Sequence, residues 1–455
     1  MAVFIVILFI LGYVSITLEH TFKIDKLIPA LLMMALSWAA VALGIDHFNQ
    51  WFDPATSQLN STFGFISHGE KMTILEETLL HHFGKTAEIL IFLMGAMVII
   101  EIIDYFQGFN TIKKMIKTKS KRSLLWILVI ISFALSAIID NLTATIVLIS
   151  ILRKLIPSNT DKMWYAGLIV ISANAGGAWT PIGDVTTTML WMAGKVTSGK
   201  LMILLSLPSI VSALVPATIA SFLPVFKGNV TQHKTKEEEN KHGLLMLVTG
   251  LLLIVFVPLF KTITHLPPYI GMMLSLAIYS LIAEIISNRA IKLTDYSKSE
   301  NEDKNVKIKT TKHGPMLKAL GKIEMPTILF FLGILMTVAA MESLGLIFSF
   351  GQNVSSSISQ NLFVTLLGLS SAIIDNVPLV AASIGMFREG TDANIWHLIA
   401  YSAGTGGSIL IIGSAAGVVA MGMEKISFFW YLKNIALLAL AGYFSGLILL
   451  FYLLN

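Results

Sequence analysis

Leu135-Ser-Ala-Ile-Ile-Asp-Asn-Leu-Thr-Ala-Thr-Ile-Val147 has a second copy in the chain, Leu369-Ser-Ser-Ala-Ile-Ile-Asp-Asn-Val-Pro-Leu-Val-Ala381. The shared run Ser-Ala-Ile-Ile-Asp-Asn places Asp140-Asn141 and Asp375-Asn376 in the middle of long apolar segments. A carboxylate within a membrane segment is costly and usually functional. Two copies of this pair therefore predict one site built from both halves of a duplicated chain.

The composition is that of a membrane protein. Hydrophobic residues make up 55% of the 455 residues and charged residues only 13%, against about 25% charged residues in an ordinary soluble domain. The absence of cysteine excludes disulfides and thiolate metal sites. The net charge of +5 does not indicate nucleic-acid binding, because Lys and Arg cluster in loops beside apolar spans. We therefore expect the lipid bilayer, and not a nucleic acid, as the environment of the chain.

The apolar runs divide into two similar sets of spans. A polar loop is expected at 46–85, with a short surface helix capped by Thr73-Ile-Leu-Glu76, and a charged loop at 288–323. The basic run 113–122 is predicted to be cytoplasmic. Uninterrupted spans are predicted near 2–18 (a first span, not a cleaved signal), 27–45, 86–105, 201–226, 243–260, 268–287, 325–345 and 427–453.

The two Asp-Asn pairs are predicted to form the tips of hairpins. The apolar arms beside Asp140-Asn141 are each shorter than a full crossing and have basic residues at both ends, which favours a re-entrant hairpin. Two further spans, 163–194 and 394–422, contain Gly-rich interruptions that a continuous helix tolerates poorly. These interruptions, Ser172-Ala-Asn-Ala-Gly-Gly-Ala-Trp-Thr-Pro-Ile-Gly-Asp184 and Ser402-Ala-Gly-Thr-Gly-Gly-Ser-Ile-Leu-Ile-Ile-Gly-Ser414, align with each other.

The predicted fold is an all-α polytopic membrane protein made of two inverted repeats. Each repeat has about five transmembrane spans, one of them a broken helix, and one re-entrant hairpin. An odd number of crossings requires that the second repeat be inverted relative to the first, as in secondary transporters. The expected division is a first repeat at 1–226, a cytoplasmic linker at 227–242 and a second repeat at 243–455.

The polar residues of the hairpins and breaks offer oxygen atoms. The surrounding apolar runs contain no Lys or Arg, and three carboxylates would repel an anion, whereas such an oxygen-rich set suits a hard cation such as Na⁺ or Li⁺. A carboxylate that takes either a proton or a cation makes the two compete, so alternating access would give exchange of Na⁺ for H⁺. We expect Asp140, Asn141, Asp375 and Asn376 to bind Na⁺, and both aspartates to carry the cation or the proton. The full predicted site is Asp140, Asn141, Asn174, Asp184, Thr186, Thr187, Ser371, Asp375, Asn376, Ser408 and Ser414.

Other interpretations remain open at this point. The Asp-Asn pairs and the Gly-rich runs could be structural helix breaks, and Asp184, which aligns with Ser414, could function in one repeat only. His81 and His82 are expected in a solvated loop, and Glu342 at an interface. The same fold could carry an anion, arsenite or a dicarboxylate, and a membrane scaffold that transports nothing is a third class. Enzyme activity and a cofactor are not expected, because the apolar segments contain no nucleophile–base pair or His cluster.

At these motifs the chain resembles the NhaD-type sodium/proton antiporters, within the ion-transporter superfamily that includes arsenite and dicarboxylate carriers. The resemblance rests on Ser136–Asn141, Asn174–Thr187, Ser371–Asn376 and Ser402–Ser408. Dicarboxylate relatives carry Ser-Asn-Thr at the hairpin tips, whereas Asp stands in place of that Ser here. The resemblance implies Na⁺ (Li⁺)/H⁺ exchange, most active at alkaline pH, by a homodimer in a bacterial inner membrane. It also implies a transport path through the predicted site residues.

Overall fold

The computed structural model describes residues 1–17, 19, 23–53, 58–116, 118–230, 240–296 and 314–454. These segments hold twenty α-helices and one antiparallel pair of strands, Trp51–Asp53 and Gln58–Asn60. Part of the predicted linker (231–239) and part of the predicted loop at 288–323 (297–313) lie outside the described residues. The predicted all-helical membrane fold is confirmed.

The helices fall into two series along the chain. The first series is α1 (Ala2–Thr17), α2 (Leu27–Leu43), α3 (His68–Tyr105), α4 (Asn110–Met115), α5 (Lys121–Ile139), α6 (Asn141–Leu155), α7 (Asn159–Gly177), α8 (Val185–Met192) and α9 (Ser198–Ser221). The second is α10 (Gly243–Thr264), α11 (Pro268–Tyr296), α12 (Pro315–Leu320), α13 (Met325–Ser343), α14 (Leu346–Ser357), α15 (Gln360–Ser371), α16 (Asn376–Met386), α17 (Asn394–Gly406), α18 (Ala415–Glu424), α19 (Phe428–Asn434) and α20 (Ala436–Leu454). Short 3₁₀ turns occupy Ile45–His47, Phe63–Phe65 and Pro224–Phe226.

The described residues include seven helices that are long and apolar enough to cross a membrane, so the chain is a multi-pass membrane protein. These are α3, α5, α9, α10, the first twenty residues of α11, α13 and α20. Helices α1 and α2, which were expected to span, are shorter, with 16 and 17 residues. The last predicted span, 427–453, is divided at Ile435 into α19 and α20.

The chain forms two compact units. One contains residues 1–90, 118–233 and 326–455, and it holds both Asp-Asn pairs and both Gly-rich breaks. The other contains residues 91–117 and 234–325. Within this second unit α10 packs against α11, where Tyr279 Oη donates to the Met246 carbonyl at 2.7 Å.

Every predicted interruption is present in the first unit. Helix α5 ends at Ile139 and α6 begins at Asn141, and a similar interruption separates α15 from α16. The broken spans divide into α7 and α8 around 178–184, and into α17 and α18 around 407–414. Entry and exit of the hairpins on one side of the membrane stays a prediction.

Glycine allows each hairpin to pack closely on a broken helix. A methyl group at Gly176 of α7 would collide with the carbonyl of Phe133 in α5, and one at Gly406 of α17 would collide with the carbonyl of Gly368 in α15. These contacts are continued by hydroxyl groups, since Ser136 Oγ donates to the Ala173 carbonyl at 2.6 Å. The two hairpins therefore pack on their broken helices through equivalent positions of the two sequence copies.

Helix α3 differs from the expectation for 46–85. It begins at His68 and continues without interruption to Tyr105, so the predicted separate surface helix is wrong. Its capping box is formed by Ser67 and Glu70: the Ser67 N–H donates to Glu70 Oε2 at 3.0 Å, and the Glu70 N–H donates to Ser67 Oγ at 3.4 Å. Thr73, which was predicted to cap the helix, lies inside it.

We expect Ser67→Ala to lower the Tm of the detergent-purified protein by a few degrees at neutral pH, because the Glu70 N–H loses its capping partner. Hydrogen bonds from Ser67 hold the pKa of Glu70 below its usual value. The variant also loses the hydrogen bond that the Ser67 hydroxyl donates to Glu70 Oε2 at 2.8 Å. The stability from this bond is complete above the unfolded pKa of a glutamate and is lost as the pH falls through the folded pKa. The Tm difference between wild type and variant should narrow in acid. A Tm difference in acid as large as that at neutral pH would contradict this role of Ser67 and Glu70 at the start of the helix.

Candidate functional site

Asp140 forms the tip of the first hairpin and starts the helix that follows. Its φ of 72° lies in the region that residues other than glycine rarely adopt. Its Oδ1 accepts from the Thr143 N–H and its Oδ2 from the Thr143 hydroxyl, both at 2.9 Å. The carboxylate thus caps α6 at a sharp turn, and it directs the next residue, Asn141, into the protein interior, where Asn141 is 6% exposed.

Asp375 starts α16 at the second tip and has a basic neighbour. Its Oδ1 accepts from the Val377 N–H at 3.2 Å, and its Oδ2 lies 3.6 Å from Nζ of Lys26. The apolar runs around the motifs contain no Lys or Arg, and this basic neighbour comes from outside them. Lys26 precedes α2 and lies far from both Asp-Asn pairs in the sequence, which is why inspection of the motifs missed it.

Asp184 lies where the two hairpins meet. It is 2% exposed and caps α8, since its Oδ1 accepts from the Thr186 N–H at 3.0 Å. Its Oδ2 accepts from the side-chain amide of Asn141 at 2.9 Å and faces the side-chain amide of Asn376 at 3.4 Å. The tip asparagines of both sequence copies therefore contact one buried carboxylate.

Asn174 links this cluster to the second break. Its Oδ1 accepts from Asn141 at 3.2 Å, and its Nδ2 donates to Ser414 Oγ at 3.1 Å. Ser414 caps α18 as Asp184 caps α8, and the two caps have nearly the same backbone torsions, φ −145° and ψ 153° against φ −147° and ψ 148°. The two breaks therefore have the same local geometry, with a carboxylate at one cap and a hydroxyl at the other.

The remaining predicted residues are buried, and the hydroxyls of Thr187, Ser371 and Ser408 donate to backbone carbonyls. Thr187 donates to the Asp184 carbonyl at 2.9 Å, and Ser371 donates to the Ala403 carbonyl at 2.8 Å. Ser408 donates to the Thr405 carbonyl at 2.8 Å. Thr186 is fully buried beside Asp184, to which its backbone N–H donates. The structure thus brings Asn141, Asn174, Asp184, Asn376 and Ser414 into one hydrogen-bonded cluster, with Asp140 and Asp375 beside the tip asparagines, whereas Ser371 and Ser408 brace the backbone.

The cluster can offer carboxylate, amide and hydroxyl oxygens to a hard cation. The chain has no cysteine. In the part of the chain that the structure describes, no group of three or more His, Asp or Glu side chains has the arrangement of a metal site. Coordination of a cation would therefore draw on amide, hydroxyl and backbone oxygens beside single carboxylates, which favours alkali cations over transition metals.

A second feature is a cavity of about 350 Å³ along α8 and α16. It is lined by Met189 and Ala381, one turn or more beyond the caps of those helices, and by Glu342 of α13. His82, expected in a solvated loop, also lines it, is 9% exposed and places Nε2 3.5 Å from Ser343 Oγ. That expectation is wrong because α3 carries His82 into the packed interior. His81 is exposed to solvent, as predicted, but it lies in α3 and not in a loop.

Comparisons with known proteins identify the family of the chain. A sequence model described as citrate transporter matches residues 6–397. The chain is 39% identical to sodium/proton antiporter 1 of Arabidopsis thaliana over 448 residues, which cover 97% of this chain and 70% of the plant protein. It is 30% identical to the Na⁺/H⁺ antiporter NhaD of Vibrio cholerae over 455 residues, covering 97% of this chain and 90% of that protein.

The fold also resembles that of a solved structure. The YdaH transporter of Alcanivorax borkumensis superimposes with a TM-score of 0.55 at 11% sequence identity, covering 92% of this chain and 97% of the other. At that identity the match supports the fold alone. By the sequence matches, the chain belongs to the ion-transporter superfamily that the citrate transporter model represents, and within it to the NhaD-type Na⁺/H⁺ antiporter family.

Proposed function

We propose that this protein exchanges Na⁺ for H⁺ across the membrane. The observation that carries the proposal is the buried carboxylate of Asp184, contacted by the amides of Asn141 and Asn376. Asp184 contacts the tip asparagines of both hairpins, so a movement of either hairpin would change its surroundings. Such a carboxylate can release a proton and bind a cation in its place. The sodium/proton antiporter names of the relatives support the same pair of ions.

The chemistry follows from competition for carboxylate oxygens. A buried carboxylate must be neutralised, and either a proton or a monovalent cation does so. Binding of one expels the other, so a site that opens alternately to the two sides couples their movements. Li⁺ has the same charge and the same preference for oxygen ligands, and we propose it as a second transported cation.

Asp140 and Asp375 are proposed to take part as carriers beside Asp184. Each caps the helix that carries a tip asparagine, so each lies next to a residue that contacts Asp184. The other site residues, Asn174, Thr186, Thr187, Ser371, Ser408 and Ser414, are proposed to supply oxygens or to hold the breaks.

We expect Asp140→Asn and Asp375→Asn each to abolish exchange, because the cation loses a carboxylate while the cap survives in the amide. The measurement is dequenching of a pH-sensitive dye on adding Na⁺ or Li⁺ to everted vesicles from antiporter-deficient cells, between pH 7 and 9.5. Asp161→Asn, which removes a carboxylate paired with Lys121 outside the site, is the control and should retain exchange. Exchange at the wild-type rate in either tip variant would contradict its role as a carrier.

Transport of an anion or of arsenite, the alternative left open by the sequence, is not favoured. The centre of the site is a buried carboxylate, which repels an anion. Anion-dependent flux without dequenching by any alkali cation would reverse this preference.

Several finer features remain proposals. We propose two inverted repeats at 1–226 and 243–455 joined by the linker 227–242, supported by the equivalent caps at Asp184 and Ser414. We also propose a homodimer in a bacterial inner membrane, working without a cofactor and without enzymatic activity, since an ion gradient supplies the driving force. Light scattering in detergent tests the dimer, and a C-terminal reporter fusion tests the orientation that follows from a cytoplasmic basic run at 113–122.

A further inference from the structure

Asp375 and Lys26 form an ion pair at the edge of the site. The Lys26 ammonium lies 3.6 Å from Asp375 Oδ2, and the two side chains are 23% and 14% exposed. Because Asp375 Oδ1 accepts from the backbone of α16, Oδ2 is the oxygen that an incoming cation would meet. The ammonium therefore stands where a cation would approach this carboxylate.

Lys26 has a second favourable contact beside the first. Its Nζ lies 4.5 Å from the centroid of the Phe330 ring, within the range of a cation–π interaction. A lysine ammonium is a compact charge on a flexible stem, so it can withdraw from Asp375 Oδ2 and remain over the ring. Displacement by a transported cation thus leaves the ammonium in contact with an aromatic face.

The space around the pair accommodates a polar species. A cavity of about 40 Å³ is lined by Tyr13, Glu19, Lys26, Asp375 and Ser414, which is enough for a water molecule or a largely dehydrated alkali cation. The Tyr13 hydroxyl is buried and has no hydrogen-bond partner among the described residues. The same cavity reaches Ser414, which accepts from Asn174 and so joins the central cluster.

We infer that Lys26 is a tethered counter-ion of Asp375 that competes with the transported cation for this carboxylate, a role that rests on the proposed exchange. Na⁺ binding moves the ammonium from Oδ2 towards Phe330, and its return to Oδ2 helps to expel Na⁺. Lys26 keeps its proton throughout. Its positive charge neutralises Asp375 whenever neither Na⁺ nor a proton does so.

The test is the Na⁺ dependence of exchange by purified protein in proteoliposomes at fixed pH. With Lys26→Gln the Na⁺ concentration for half-maximal exchange should fall by about tenfold, the scale of one contact to a charged group, and the maximal rate should fall because Na⁺ leaves more slowly. Lys26→Arg keeps the charge and should stay near wild type. An unchanged or raised half-maximal concentration in Lys26→Gln would overturn the inference, because loss of a merely structural ion pair lowers the rate without tightening Na⁺ binding.

Two further variants distinguish this role of Lys26 from a nonspecific effect of losing an ion pair. Lys121→Gln removes the lysine of another ion pair, with Asp161, whose side chains are similarly 20% and 15% exposed, and it should leave the half-maximal concentration unchanged. Phe330→Leu removes the aromatic contact, so the ammonium should remain on Asp375 and the half-maximal concentration should rise by about threefold. A fall in Phe330→Leu would also overturn the inference.

The outcome for the wild type distinguishes this inference from the proposed function. If the wild-type protein neither exchanges Na⁺ for H⁺ nor binds Na⁺ by calorimetry, the proposed function is wrong. If it exchanges normally and Lys26→Gln has the wild-type half-maximal Na⁺ concentration, only the role of Lys26 is wrong.

Discussion

Replacing Asp184 with Asn is expected to lower Na⁺-dependent exchange by about 100-fold or more, because two side-chain amides lose their contacts to a charged acceptor and the buried negative charge disappears. Asp184 Oδ2 faces Asn141 and Asn376. The helix cap should survive, since Asn caps helices about as well as Asp. The measurement is cation-induced dequenching in everted vesicles, with the amount of protein checked by immunoblot.

Ser414→Ala is the matched control for Asp184→Asn. Ser414 starts α18 with the same backbone torsions and accepts from the Gly417 N–H at 3.3 Å, but it carries no charge. We expect this variant to lose a cap and to retain measurable exchange. An equal loss of exchange in Asp184→Asn and Ser414→Ala would mean that the helix caps, and not the carboxylate, control transport. If Asp184→Asn retains exchange while Asp140→Asn and Asp375→Asn lose it, only the two aspartates at the hairpin tips are carriers.

Gly176→Ala and Gly406→Ala are expected to destabilise the protein by about 1–3 kcal/mol each, the usual cost of overpacking an interior contact. In each case the new methyl would meet a backbone carbonyl of the adjacent hairpin helix, Phe133 or Gly368. A backbone carbonyl cannot rotate away as a side chain can, so we expect the upper part of this range. The effect is read as a lower Tm from tryptophan fluorescence of the detergent-purified protein.

Gly422→Ala provides the control for these substitutions. Gly422 also lies in a helix, α18, but a methyl there meets no atom within 4 Å. Alanine stabilises a helix more than glycine does, so the Tm of Gly422→Ala should be equal to or higher than that of the wild type. A fall as large as that of Gly176→Ala would show that glycine matters for the helices themselves, and not for the approach of hairpin to broken helix.

The interruptions of the helices could be predicted from the sequence because their causes are local. Asp-Asn pairs cap helices, and Gly with Pro weakens a continuous helix. The expected breaks at Asp140, Asp375 and 178–184 are accordingly present. Duplication strengthened the prediction, since both copies had to satisfy the same pattern.

The contacts between distant segments could not be predicted in this way. The Asn376–Asp184 contact joins residues 192 positions apart, and Lys26 reaches Asp375 from the other end of the chain. Periodicity and composition describe one element at a time, so they identified the polar groups without showing that Asp184 lies between both tips. The start of α3 was misplaced for a related reason: a charged first turn resembles a loop, and only the Ser67–Glu70 hydrogen bonds distinguish it.

The equal torsions of Asp184 and Ser414 have a consequence for how the two halves can diverge. The asparagines of both hairpin tips contact the same carboxylate, that of Asp184. One acidic residue is therefore enough for both hairpins, and the corresponding residue of the other copy, Ser414, needs no charge. A serine there still begins its helix. The main chain thus keeps nearly the same geometry in both copies while this buried carboxylate is present in one copy only, so a second copy of the other half could not replace the first half without losing Asp184.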